Sequence, residues 1–366
     1  MMDRNALLVL EDGRWFEGLA VGSSGDALGE VVFNTSMTGY QEILTDPSYC
    51  GQIVCFTAPQ IGNYGVCPDD IQANRPALAG LVVQELSPVA SNWRATGTLD
   101  KWLCDHRVVG IEAVDTRALT RHLRERGAMR AGIFTAPGAG PEELVERVLA
   151  SPRMEGRNLA CEVSAEKTYP MRAEGGTRHR VVVIDFGVKR SILNELCRRG
   201  LHLDVVPATT TAEEVLALRP DGVVLSNGPG DPAAVDCGIE TARGLLGRAP
   251  VLGICLGHQI MALALGARTF KLRFGHHGGN HPVSDGSTGQ VWITAQNHGF
   301  AVDPDSLPAD RVRITHHSLY DGTLEGFEVP DLQAVAVQFH PEGAPGPTDA
   351  QPVFDRFTAL LDPEKS

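Results

Sequence analysis

The sequence predicts an α/β protein with a doubly wound, mainly parallel sheet in its C-terminal half and a mixed α/β domain in its N-terminal half. From residue 181 onward, short apolar runs alternate with stretches of helical periodicity, whereas the first half has apolar runs without regular helices between them. Residues 164–180 are polar and contain proline and glycines, a composition typical of a linker. We therefore predict domains at residues 1–150 and 180–366, with 151–179 as the linker region.

In the C-terminal half, apolar runs predict strands at residues 181–185, 203–206, 222–225 and 251–254. Ile192, Leu193 and Leu196 share one face of a helix predicted at 191–199, and Thr211 with Glu214 forms a capping box that begins another. Strands that alternate with helices pair in parallel through right-handed crossovers. Sites in such sheets lie at the carboxyl ends of the strands, where residues 226–232 and Cys255 are expected.

In the N-terminal half, apolar runs predict short strands at residues 6–10, 30–34, 53–57 and 81–84. Residues 116–126 have Leu119 and Leu123 on one helical face. The two patterns together indicate a mixed α/β domain whose strand order the sequence does not give.

Composition is that of a globular protein, with 366 residues, 43% hydrophobic and 21% charged. The net charge of -13 argues against nucleic acid or an anionic membrane as a main partner. No apolar run approaches the roughly 20 residues that span a bilayer, and the N-terminus predicts a strand rather than a signal peptide. The 8 cysteines have no C-x-x-C spacing, which favours free thiols in the cytoplasm.

The segment 253–259 combines the end of an apolar strand, a sharp turn and the start of a helix, with Cys255 at the turn. Gly253 and Gly257, two residues to either side, let the backbone fold back tightly. The dipole of the following helix favours a thiolate over a thiol. This pattern predicts a nucleophile elbow with sulfur in place of oxygen.

A base for this nucleophile is expected at His340, where the apolar run 334–340 ends, and Glu342 follows two residues later. If this strand joins the same sheet, His340 lies beside Cys255 and Glu342 fixes the imidazole tautomer. The pattern also fits a strand-end histidine near a solvated glutamate. The cysteine turn upstream favours the triad.

An oxyanion hole needs two N–H donors, and the backbone of Leu256 is the expected first donor. Gly228 is a candidate for the second, although Gly-Pro-Gly at 228–230 also fits a plain turn. The histidines in 276–281 fit no common zinc pattern and predict a structural or substrate-facing loop. His316 and His317 are expected at the surface, and His298 either in the cleft or in a turn.

Residues 253–259 and the triplet His340-Pro341-Glu342 resemble the class I (triad) glutamine amidotransferase family. Within it, the chain is similar to the small, glutamine-hydrolysing subunits of carbamoyl-phosphate synthetases. The distinguishing segments are residues 30–42, 45–49 and 274–282. The first two lie in an N-terminal domain that other amidotransferases of this class lack.

The resemblance implies that Cys255 is the nucleophile, His340 the general base and acid, and Glu342 the orienting carboxylate. It implies oxyanion N–H groups from Gly228 and Leu256, and no metal in the site. Glutamine contacts are implied for Ser48, Gly228, Gly230, Leu256, Gln259, Asn297, Gly299 and Phe300. Ser48 would bring the N-terminal domain to the edge of the active site.

The resemblance further implies a large synthetase subunit that receives the ammonia and uses ATP and bicarbonate, serving the pyrimidine pathway, the arginine pathway or both. No nucleotide motif occurs in this chain, so ATP and its metal ions are expected on that subunit and no cofactor here. Three alternatives stay open: a subunit of another synthetase, a stand-alone γ-glutamyl hydrolase, and a silent binding subunit. The complete set of Cys255, His340 and Glu342 argues against the last.

Overall fold

The computed structural model describes residues 5–362, and its internal contacts divide the chain into two units. One unit runs up to Glu155 and also includes residues 273–277. The other begins at Gly156 and contains the rest of the chain. The boundary falls inside the stretch 151–179 that we predicted as a linker. Residues 156–179 group with the second unit.

The first unit is rich in strands. They are β1 (Asn5–Leu10), β2 (Trp15–Gly22), β3 (Asp26–Asn34), β4 (Gln52–Phe56), β5 (Gln60–Ile61), β6 (Gly80–Val82), β7 (Glu85–Leu86), β8 (Val109–Glu112) and β9 (Met129–Thr135). Its helices are α1 (Tyr40–Leu44), α2 (Leu99–Asp105), α3 (Thr116–Arg126) and α4 (Pro141–Ala150). The helix predicted at 116–126 is confirmed.

Seven of these strands close into a barrel in the order β1-β2-β8-β6-β4-β3-β9. Along β4, side chains alternate between two cores, as expected of a strand buried on both faces. Ile53 belongs to a cluster with Leu119 of α3, and Val54 to one with Leu103 of α2. The predicted mixed α/β domain is therefore a barrel of mixed strand direction with helices packed on it.

The second unit alternates strands and helices. Its strands are β10 (Tyr169–Met171), β11 (His179–Asp185), β12 (Leu201–Pro207), β13 (Gly222–Leu225), β14 (Val251–Ile254), β15 (Thr269–Asp285), β16 (Val291–Val302), β17 (Arg313–Ser318), β18 (Leu324–Val329) and β19 (Ala334–Val337). Its helices are α5 (Ala160–Val163), α6 (Arg190–Arg198), α7 (Ala212–Ala217), α8 (Asp236–Leu245), α9 (Leu256–Ala264) and α10 (Pro352–Leu361).

These strands form one sheet in the order β10-β12-β11-β13-β14-β19-β18-β17-β15-β16. Within this order, the neighbouring strands β12, β11, β13, β14 and β19 pair in parallel, as predicted. On one side β10 pairs antiparallel with β12, and on the other side β18, β17 and β15 continue the sheet with antiparallel pairing. The predicted capping box of Thr211 and Glu214 is present at α7. The predicted parallel sheet is therefore the centre of a larger mixed sheet.

The parallel centre determines where chemistry can occur. Neighbouring strands β11, β13, β14 and β19 run in the same direction and end at Asp185, Leu225, Ile254 and Val337. Loops that follow these four residues therefore meet at one edge of the sheet. Within residues 5–362, no helix is long and apolar enough to cross a membrane.

Candidate active site

Cys255 lies at the turn between β14 and α9, as the sequence predicts. Its φ of 54° is in the left-handed region, which costs energy for a residue with a side chain. The turn is held by its backbone, because the Cys255 N–H donates to the carbonyl oxygen of Val337 at 2.9 Å. The residue is only 2% exposed, so its thiol lies in a buried site.

Glycine is required on both sides of this turn. A Cβ atom at Gly257 would overlap the carbonyl oxygen of Leu225, and one at Gly253 would lie 2.8 Å from the carbonyl oxygen of Gly257. The N–H of Gly257 also donates to the Ser226 carbonyl at 3.0 Å. The close approach to the end of β13 thus explains the glycine at 257, and the close approach of the first helical turn explains the glycine at 253.

His340 follows β19 by three residues, and its N–H donates to the carbonyl oxygen of Ala295 at 2.9 Å. The strand predicted to reach His340 therefore ends earlier, at Val337. The imidazole is 2% exposed, and its Nδ1 lies 2.8 Å from Oε1 of Glu342. This contact gives Glu342 the geometry of an orienting carboxylate and leaves Nε2 as the nitrogen that can act on Cys255.

Lys189 is a buried residue of this site that the sequence reasoning missed. Its Nζ lies 2.6 Å from the same oxygen of Glu342 that contacts His340. The residue follows β11 in the run Asp-Phe-Gly-Val-Lys, at the edge of the sheet where sites are expected. That position was the available signal, but the pairing with Glu342 is invisible in the local sequence.

The neighbouring side chains of Glu342, Lys189 and Cys255 determine how His340 titrates. Burial lowers the pKa of His340, but the Glu342 carboxylate and the Cys255 side chain raise it by more, so the net shift is upward. Burial raises the pKa of Glu342, whereas Lys189 and His340 lower it to about 2. With Nδ1 taken by Glu342, Nε2 is the nitrogen of His340 that faces Cys255. The site therefore favours an imidazolium next to an ionised Glu342, with one nitrogen left for chemistry.

Several predicted glutamine contacts surround the cysteine turn. The Cys255 Sγ lies 3.5 Å from the carbonyl oxygen of Asn297. The Gln259 side chain donates to the Phe300 carbonyl at 2.7 Å and to Oε1 of Gln338 at 2.9 Å. The Gln259 amide nitrogen thus ties α9 to β16 and to the segment just before His340.

The predicted oxyanion residues are neighbours as well. A Cβ atom at Gly228 would lie 2.8 Å from Cδ2 of Leu256, so the two residues adjoin each other. Gly230, with a φ of +94°, instead packs against the backbone of residues 157–159. At Gly299 a Cβ atom would meet nothing within 4 Å, so no packing reason for this glycine is visible.

Ser48 belongs to the first unit, whereas the other predicted site residues belong to the second. It is buried in a short 3₁₀ turn, Pro47–Tyr49, and its N–H donates to Oδ1 of Asp46 at 2.9 Å. Its contact with glutamine stays a prediction.

Other histidine predictions were partly wrong. Residues 276–281 lie in strand β15 rather than in a loop. His316 is buried, not exposed, because its ring packs against Trp292 and Phe339. His317 is exposed as expected. His298 is a buried residue of strand β16, with its Nε2 2.8 Å from Oε1 of Gln296.

Two family models match the chain. The model for "Carbamoyl-phosphate synthase small chain, CPSase domain" matches residues 8–133, and that for "Glutamine amidotransferase class-I" matches residues 182–360. The second match contains the cysteine turn and the His340–Glu342 pair. The first covers most of the barrel unit.

Curated relatives agree with these models, and three of them share the name carbamoyl phosphate synthase small chain. The protein from Syntrophotalea carbinolica is 51% identical and the alignment covers 98% of both chains. The one from Salmonella typhi is 51% identical over 98% of both, and that from Pseudomonas aeruginosa is 50% identical over 98% of this chain and 99% of its own. The chain therefore belongs to the carbamoyl phosphate synthase small chain family, which carries a class I glutamine amidotransferase domain.

Proposed function

We propose that this chain hydrolyses L-glutamine to glutamate and ammonia through a covalent γ-glutamyl thioester on Cys255. The observation that carries the proposal is the buried row formed by the Cys255 turn, His340 and Glu342. His340 is bound to Glu342 through Nδ1 at 2.8 Å, which leaves Nε2 to act on Cys255. A nucleophile, a base and an orienting carboxylate in this relation are the parts that acyl transfer needs.

In the first half of the reaction, the Cys255 thiolate attacks the side-chain amide carbon of glutamine. The carbonyl oxygen becomes an oxyanion, for which the N–H groups of Leu256 and Gly228 are the proposed donors. The His340 imidazolium gives its Nε2 proton to the amide nitrogen, and the C–N bond breaks. Ammonia leaves and the γ-glutamyl thioester remains.

In the second half, neutral His340 takes a proton from water as the water oxygen attacks the thioester. The tetrahedral intermediate expels the Cys255 thiolate and releases glutamate, which restores the starting charges. The proposed glutamine contacts, Ser48 among them, are those that the family resemblance implies. Each oxyanion donor is expected to contribute about 10²–10³ to the rate.

The ammonia then passes to a large synthetase subunit, which uses ATP and bicarbonate to make carbamoyl phosphate in the cytoplasm for the pyrimidine pathway, the arginine pathway or both. The family name "small chain" supports a larger partner. Free ammonia is mostly protonated at neutral pH and is then not a nucleophile. Direct transfer keeps it reactive.

The test is glutamate release from glutamine by the purified chain and its Cys255→Ser variant. We expect the substitution to reduce the rate by at least about 10³-fold, because the chemistry loses its nucleophile. The matched control is Cys161→Ser, an exposed cysteine of the same unit, which should leave the rate unchanged. Equal rates for Cys255→Ser and wild type would contradict the nucleophile assignment.

The same assay with an added large synthetase subunit, ATP and bicarbonate tests the partner. A rise in Cys255-dependent hydrolysis supports a coupled subunit. Rapid hydrolysis that no partner changes would favour a stand-alone γ-glutamyl hydrolase instead.

A further inference from the structure

Asp185, the last residue of β11, holds a buried carboxylate that the reaction above does not use. It is 5% exposed and accepts backbone N–H groups on both oxygens. Oδ1 accepts from Gly187 at 2.9 Å and from Val188 at 2.7 Å, and Oδ2 accepts from Ala165 at 2.8 Å. Burial raises the pKa of Asp185, and the three N–H groups offset only part of this shift, so the net shift is upward.

The bonds to Oδ1 shape the loop that carries Lys189. Gly187 turns the chain with a φ of +124°, a conformation that favours glycine. Asn227 closes the other side of the loop, because its Oδ1 accepts from the Lys189 N–H at 3.2 Å and its Nδ2 donates to the Gly187 carbonyl at 3.0 Å. The backbone of Lys189 is thus fixed from two neighbouring strand ends.

The bond to Oδ2 ties a second segment to this loop. Ala165 follows helix α5, in the stretch that we predicted as a linker. The neighbouring Ser164 accepts the Ala208 N–H at 2.9 Å, which holds the same segment against the end of β12. One carboxylate therefore joins residues 164–165 to the loop that leads to Lys189.

We propose that Asp185 is a positioning residue for the glutaminase site, which sets the Lys189 ammonium against Glu342 and through Glu342 orients His340. The inference rests on the proposed function. Lys189 and Glu342 meet at 2.6 Å in a buried site, where a small shift of the loop separates them. A displacement of about 1 Å in supporting geometry can cost a reaction about 10²-fold.

The test compares Asp185→Asn and Asp185→Ala with wild type for kcat, KM and melting temperature. Asparagine keeps one oxygen for Gly187 and Val188 but presents an NH₂ group to the Ala165 N–H, whereas alanine removes every bond. We expect kcat to fall by up to about 10²-fold, with the alanine variant slower than the asparagine variant and KM nearly unchanged in both. The matched control is Asp285→Asn, another buried aspartate that caps a turn, with the Ser287 N–H at 2.8 Å.

A double-substitution cycle separates positioning from a general loss of stability. If Asp185 acts through Lys189, Asp185→Asn combined with Lys189→Met is no slower than Lys189→Met alone. Additive losses, or an equal loss of kcat in Asp285→Asn, would overturn the inference while leaving the nucleophile intact. Wild type and Cys255→Ser run in the same assay; a wild type without Cys255-dependent glutamate release would remove the proposed function and this role with it.

Discussion

The pKa of His340 is set by burial and by the side chains of Glu342, Lys189 and Cys255. The Glu342 carboxylate raises the pKa of His340 against burial, which lowers it, and Lys189 opposes Glu342. The Cys255 side chain also raises this pKa. In the thioester state that we propose, Cys255 would no longer raise the pKa of His340, so this pKa would be lower at the proposed step in which His340 accepts a proton from water.

The role of Lys189 can be tested with Lys189→Met. Because Lys189 lowers the pKa values of both His340 and Glu342, its removal raises both. Neutral His340 is then reached only at higher pH. The pH profile of kcat should therefore shift to higher pH, and the rate at neutral pH should fall. Measuring kcat for glutamate release across pH checks this.

The control for this experiment is Lys101→Met, which removes an exposed lysine paired with Asp105 on the surface. Exposed pairs contribute little, so its profile should superimpose on that of wild type. A Lys189→Met profile that also superimposes would show that Lys189 does not tune His340.

Among the elements, the β14–α9 turn is tightly restricted by packing at Gly257. Alanine is ordinarily about 1 kcal/mol better than glycine inside a helix. At Gly257, however, the added methyl group would overlap the backbone at Leu225, which cannot rotate away as a flexible side chain can. The steric cost therefore outweighs the helix preference.

We expect Gly257→Ala to lower the free energy of unfolding by about 1–3 kcal/mol and to reduce glutaminase activity, since β13 or the cysteine turn must shift. Urea unfolding and glutamate release are the measurements. Gly286→Ala is the matched control, because a Cβ atom there meets only the Thr315 carbonyl at an ordinary 3.4 Å. A Gly257→Ala protein with wild-type stability and rate would disprove the packing argument.

Local patterns predicted the elements that depend on nearby residues. The strands at 222–225 and 251–254, the helix at 116–126 and the capping box at Thr211 all have the predicted bounds or contacts. Features that depend on distant residues were missed. Lys189 contacts Glu342, which lies 153 positions away in the sequence. The histidine- and glycine-rich residues 276–281 belong to strand β15 despite their composition, and β15 pairs with β17 from a later part of the chain.

For the whole molecule, buried neutral histidines link folding to pH. Burial lowers the pKa of His258 to about 3 and that of His316 to about 4, the latter although Asp285 raises it. In the unfolded chain both return to about 6.5 and bind protons more readily. Their stabilising effect is therefore complete above pH 6.5 and is lost as the pH falls through the range down to the folded values.

We predict that His316→Gln, which removes one of these groups, reduces the loss of stability between pH 7.5 and pH 4. His316 alone should account for roughly 3 kcal/mol of that loss, since one pKa unit corresponds to about 1.4 kcal/mol. Urea unfolding at several pH values gives the free energy of unfolding for each protein. The packing cost of the substitution is the same at every pH, so comparing how this free energy changes with pH removes that cost. Parallel curves for the variant and wild type would contradict the assignment.

The charges that we propose along the row from Cys255 to Lys189 bear on what leaves the site. In the proposed mechanism, a thiolate, an imidazolium, a carboxylate and an ammonium sum to zero before the attack on glutamine. In the proposed thioester state the sulfur and the imidazole are both neutral, and Glu342 and Lys189 still cancel. The proposed first half-reaction thus leaves the total charge of these four groups unchanged. The nitrogen would then depart as an uncharged molecule, the form that can cross a low-dielectric passage without the cost of desolvating an ion.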